Sequence, residues 1–94
     1  MNQYHIRKYN IKFEPYSINN KQWDMYIDSE EQMITFICPC GCGKKFQLNT
    51  DMEIEPLWQY RINVNGEINI HPSVQRIGGC ESHFWIRDNR VVWC

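Results

Sequence analysis

The sequence predicts a mainly β domain: a small single unit, residues 1–94, built from antiparallel hairpins with at most one or two short helices. Three observations predict it. Segments rich in aromatic and β-branched residues end at turn dipeptides. No stretch sustains a 3.6-residue apolar period, and Pro15, Pro39, Pro56 and Pro72 interrupt what helix there could be. The third observation is a set of cysteines in two glycine-bearing clusters, which would staple a core too small to hold by itself.

Taken in chain order, YHIRKYNIKF (4–13) shows partial alternation and reads as an edge strand, and a short helix is expected near Asn20 to Tyr26. MITFIC (33–38) runs into the first cysteine cluster and KKFQLNT (44–50) runs out of it, so CPCGCG forms the tip of a hairpin. LWQYRINV (57–64) reaches the Asn65-Gly66 turn and returns through EINIH, a hairpin set by its turn chemistry. HFWIRD (83–88) and VVWC (91–94) flank Asn89 and make a closing hairpin. Between them DMEIE (51–55) alternates acidic and apolar residues; a solvated strand or turn face accounts for it better than a hard-cation site.

Composition excludes several function classes. A net charge of −1 with scattered Lys and Arg supplies no field for phosphates, so nucleic acid is not an expected partner. MNQYHIRKYN lacks the apolar run of a signal peptide, no window approaches a membrane span, and a cytoplasmic protein is expected. In a reducing compartment five cysteines are thiols rather than disulfides, and an odd number cannot all pair within one chain.

Those thiols point to a metal. Zinc is held in a tetrahedron of thiolates and imidazoles, drawn in small domains from two local clusters. The first cluster is Cys38, Cys40 and Cys42; the second is GGCESHFWI, where Cys80 and His83 have the C-x-x-H spacing of a chelating loop and Gly78 and Gly79 allow close backbone approach. Five candidates compete for four positions on one Zn2+. In a continuous strand Cys38 and Cys42 face one way and Cys40 the other. All three reach one ion only if the loop bends, which Pro39, Gly41 and Gly43 allow; the expected core is Cys40, Cys42, Cys80 and His83, with Cys38 the alternate. Cys94, His5 and His71 read as packing or surface residues, and Trp58, Trp85 and Trp93 as core, with an aromatic patch for a partner as the other use.

At CPCGCG, HPSV and CESHFWIRDNRVVW the chain resembles a family of small bacterial proteins defined as a domain of unknown function. Its pattern runs H-x-C-x-C-G-C-G, a tryptophan, P-S-I, C-x-S-H-[YF]-W-I and a last strand ending in tryptophan. The matching residues are Cys38, Cys40 to Gly43, Trp58, Pro72 to Val74, Cys80 to Ile86 and Trp93, across roughly residues 25–94. Phe36 stands where the pattern has its histidine, and Val74 where it has isoleucine. The resemblance implies genes beside those of a bacterial ubiquitin-like conjugation system. It therefore implies a role in processing, removing or recognising a ubiquitin-like modifier in antiviral defence, with that modifier and E1-like or E2-like enzymes as partners.

Two functional readings follow. In the first, a zinc peptidase uses an open coordination position to activate water. Glu81 is then the candidate proton carrier, while Ser82 and Ser73 orient substrate or stabilise the oxyanion. In the second, a closed structural zinc folds a module that only binds the modifier or its conjugation enzymes. A redox sensor ranks behind both. No H-E-x-x-H helix is present; the genomic setting that the resemblance implies tips the expectation toward the peptidase.

Overall fold

A computed structural model describes residues 3–76 and 78–94, with side chains from residue 7 onward. Nine strands and no helix make up the described residues: β1 (Gln3–Lys8), β2 (Asn10–Lys12), β3 (Asp24–Asp28), β4 (Met33–Ile37), β5 (Lys45–Asn49), β6 (Gln59–Ile62), β7 (Ile68–Gln75), β8 (His83–Arg87) and β9 (Arg90–Trp93). They form a five-stranded sheet in the order β1-β9-β8-β7-β6 and a four-stranded sheet in the order β2-β3-β4-β5. All pairings are antiparallel except β2 with β3.

The three expected hairpins are β4–β5, β6–β7 and β8–β9. In the last, Asp88 and Asn89 both have positive φ, 52° and 64°, the backbone of a two-residue turn whose twist matches its strands. The Asn89 side chain secures it by accepting from the Ile68 N–H at 2.6 Å. Within Asn20 to Tyr26 there is no helix: residues 22–23 form a turn and Asp24 already begins β3. Asp24 explains that: its carboxylate accepts from the Lys21 N–H at 3.1 Å, closing a local turn that competes with helix.

The N-terminal segment departs most from expectation. It is two strands in two sheets, broken at Tyr9, which is 2% exposed. The Tyr9 N–H donates to Asn89 of one sheet at 2.7 Å, and its hydroxyl donates to the Ile37 carbonyl of the other at 2.8 Å. One residue thus ties both layers together.

The core lies between the sheets. Met25, Ile27, Ile34, Phe36, Phe46 and Leu48 face Ile68, Ile70, Val74, Phe84, Ile86 and Val91. Phe36 stacks on Phe46 at 5.3 Å, and Phe84 meets both edge-on at 6.2 and 5.6 Å. Replacing so buried a ring by alanine costs about 3–5 kcal/mol. The aromatic group sits directly beneath the β4–β5 turn and the β7–β8 loop, which it holds side by side. Arg76, in that loop, adds to the hold: its Nη2 donates to the Lys45 carbonyl at 3.1 Å and its guanidinium lies 4.5 Å from the Phe46 ring centre.

DMEIE is an exposed turn region rather than a strand. The Asn49 amide organises it by donating to the carbonyls of Asp51, Ile54 and Pro56.

Candidate functional site

β4 delivers Cys38 into the core at 0% exposure. The chain then turns: the Cys38 N–H donates to the Lys44 carbonyl at 2.7 Å and the Gly41 N–H to the Cys38 carbonyl at 3.3 Å. Gly41 and Gly43 have φ of 90° and 81°, a region that side chains with a Cβ seldom enter. The strand alternation that would have separated Cys40 from its neighbours is lost in this turn, and all three thiols converge.

From the other loop comes Cys80. The Sγ atoms of Cys38, Cys40, Cys42 and Cys80 all lie within 4.8 Å of one another; Cys38 is 3.4 Å from Cys40 and 3.7 Å from Cys80. A tetrahedron with metal–sulfur bonds of about 2.3 Å has sulfurs about 3.8 Å apart, so the spacing and the donor set fit one metal ion. Gly78 and Gly79 were expected to allow close approach. Their need is conformational instead: φ is 80° and 59°, while a Cβ on Gly78 would meet nothing within 4 Å.

Ser82 is buried beside the sulfurs, its hydroxyl 3.3 Å from Cys80 Sγ and 3.5 Å from Cys38 Sγ. The Ser82 hydroxyl, then its backbone N–H, draw the Cys80 thiol down to about 6. The same hydroxyl also lowers Cys40. Burial works the other way on Cys38, pushed up to about 12. A cation held by all four would ionise such a mixed set together, since a metal-bound thiol is deprotonated outright.

His83 is not in this group. It begins β8, and its Nε2 lies 3.0 Å from Ser73 Oγ on β7. A bulge makes that contact. Between the pairs Ile70–Ile86 and Val74–Phe84, β7 advances four positions while β8 advances two, so His71, Pro72 and Ser73 stand against Trp85 alone. Bulges re-aim side chains and recur beside active sites. Trp58 holds this one from below, its indole N–H donating to the Ser73 carbonyl at 3.3 Å. Both Ser73 and His83 are half-buried. Among the described residues no carboxylate hydrogen-bonds His83.

Of the eight residues singled out from sequence, the structure gathers Cys38, Cys40, Cys42 and Cys80 in one place, with Ser82 against them, and pairs Ser73 with His83 in another. Glu81 joins neither: it is exposed on the turn, with φ of 51° and its N–H bonded to the Gly78 carbonyl at 3.2 Å. Cys94 is exposed at the end of β9, bonded through its N–H to the His83 carbonyl.

Sequence reasoning missed the serine–histidine pairing and the groove beside it. On the outer face of β6, β7 and β8 lies a groove of about 480 Å3, lined by side chains that include Gln59, Arg61, Asn69, His71, Trp85 and Arg87. His83 and Trp85 share a face of β8 by simple alternation, and the groove's lining ends two residues short of the pair, at Trp85 and His71. The alternation was readable; that this face is open was not.

Comparison with known proteins places the chain. The family described as "Bacterial ubiquitination-like system serine protease (BubE)" matches residues 10–94. No curated protein and no solved structure matches. The description supports a protease in a bacterial ubiquitination-like system and does not support a zinc-dependent one. The chain belongs to this family.

Proposed function

With membership of this family as the premise, we propose that the chain is a serine peptidase acting on a ubiquitin-like modifier, with Ser73 the nucleophile and His83 its general base. The observation that carries this reading is the 3.0 Å contact between Ser73 Oγ and His83 Nε2 beside an open groove. It is within the reach a base needs to take the hydroxyl proton.

With the imidazole proton on Nδ1, the Ser73 hydroxyl donates to Nε2. As Oγ attacks the scissile carbonyl, Nε2 takes its proton and then passes it to the leaving amine, and water repeats the cycle on the acyl-enzyme. The bulge orients the nucleophile, while Trp58 fixes the backbone that carries it.

The cysteine cluster has a separate task. Cys38, Cys40, Cys42 and Cys80 would hold one Zn2+, and a site closed on four thiolates supplies folding energy rather than an activated water. Ser82 supports the sulfurs, and Glu81 takes no part. The modifier is the substrate protein, with its E1-like or E2-like enzymes as further partners.

Labelling with a fluorophosphonate probe, alongside cleavage of an extended ubiquitin-like precursor, tests the assignment. Ser73→Ala abolishes both. His83→Gln lowers both by at least about a thousandfold, with one zinc per chain retained. Labelling that survives Ser73→Ala, or zinc lost in His83→Gln, overturns it.

A further inference from the structure

The outer groove is more selective than an open sheet face needs to be. Across three strands its side chains place Gln59 opposite His71 and Arg61 opposite Asn69, with Trp85 and Arg87 following on β8. The whole protein carries a net charge of −1, yet this lining holds two arginines, a histidine and no acid. Neither arginine has a carboxylate partner among the described residues. Asp88, the acid next in sequence to Arg87, is engaged instead by the Asn63 amide at 3.2 Å.

The groove also has a floor. The Trp85 ring lies 5.7 Å from the His71 ring, tilted by 31°, and the Arg87 guanidinium sits 4.7 Å from the Trp85 ring centre. An aromatic–guanidinium stack holds the fork in place, so less side-chain freedom is lost when it takes up a carboxylate. Arg87 is four residues beyond His83 on the same face of β8, roughly 13 Å at strand rise.

We infer that this groove binds an extended segment of the substrate polypeptide that carries an acidic side chain about four residues from the scissile bond, read by Arg87 and Arg61. The aromatic floor takes the backbone and apolar atoms between that acid and Ser73. This rests on the peptidase reading, because Ser73 and His83, two residues beyond His71 and Trp85 along β7 and β8, are what would make the groove a substrate cleft. Charge complementarity selects the occupant: an acidic peptide is matched, and a basic one is repelled.

The test uses 15N-labelled Ser73→Ala protein, which cannot turn over, titrated with three Gly/Ser/Val decapeptides that differ only in carrying Glu, Gln or Lys at two positions. The Glu peptide is expected to shift the signals of His71, Trp85 and Arg87. It should also bind about tenfold more tightly than the Gln peptide, the order of one charge-assisted hydrogen bond. Added salt and the double substitution Arg61→Gln, Arg87→Gln should both erase the difference. Equal binding of the Glu and Gln peptides, shifts located elsewhere, or tighter binding of a decathymidine oligonucleotide would overturn the inference. Fluorophosphonate labelling of the Arg61→Gln, Arg87→Gln variant, with Ser73 intact, separates the two claims: labelling retained alongside lost peptide selectivity supports the groove assignment, whereas absence of labelling in the unsubstituted protein removes the peptidase reading first.

Discussion

Cys80 and His83 stand three positions apart, yet they serve different neighbourhoods. Cys80, exposed on its turn, joins three sulfurs delivered by the other sheet; His83, already in β8, points to Ser73 across a bulge. Ser82 between them is buried on the sulfur side. The C-x-x-H spacing that suits a zinc knuckle is here divided at the point where loop becomes strand, because entering a strand alternates side chains between faces. A closed metal site and peptidase chemistry, which looked like competing readings, are compatible once the metal is not the catalyst.

The strongest way to break this comparison is to deprive the four thiols of the metal proposed for them. Apparent binding energies of structural zinc sites are about 10–16 kcal/mol, as large as the whole stability of a typical domain, about 5–15 kcal/mol. Chelation, or Cys38→Ser, is expected to abolish the cooperative thermal transition. Circular dichroism melts with and without chelator check it; an unchanged melt would mean the thiols are not a folding site.

A smaller effect sharpens the division between the neighbourhoods. Ser82→Ala removes the hydroxyl shared by Cys80 and Cys38, and partners of this kind are worth about 10–100-fold in metal affinity. Competition with a chromophoric chelator should show that loss. Cleavage at saturating zinc should stay within about twofold, since at that occupancy Ser73 and His83 are unaltered; a large loss of kcat would return Ser82 to the catalytic group.

The smallest expected effect lies away from both. Burial of Asp24 raises its pKa, but the Lys21 N–H, the Asn10 amide and Lys12 together outweigh it and leave the carboxyl below its usual range. A depressed folded-state pKa contributes stability above the unfolded value near 3.9, lost as pH falls through the folded one. Asp24→Asn should therefore melt lower than the parent at pH 7, with the gap closing below about pH 4. Fluorophosphonate labelling of Ser73 at pH 7 should be unchanged.

Much of this was readable from local chemistry. The Asn65-Gly66 turn, the Asn89 turn and the glycines around Cys40 announced three hairpins, because turn backbones demand particular residues. The β1–β2 break was not readable: Tyr9 resembles any strand aromatic until partners in both sheets are known. His83 was expected as a ligand from its C-x-x-H spacing to Cys80, and Cys38 as the alternate because all three thiols of the first cluster converge only where the proline and glycines bend the chain. Cys38 is a core residue as well, fully buried in the hydrophobic cluster while its sulfur still meets the others.

What the sequence by itself determined was the β class, the hairpins and the stock of thiols, all of which depend on residues within a few positions of one another. Which thiols meet, and that a serine ten residues before a histidine becomes its partner, was decided only by tertiary structure. Sheet packing brings the β4–β5 turn against the β7–β8 loop, and a register shift in one strand pair turns Ser73 toward His83; neither long-range contact leaves a local trace in the chain.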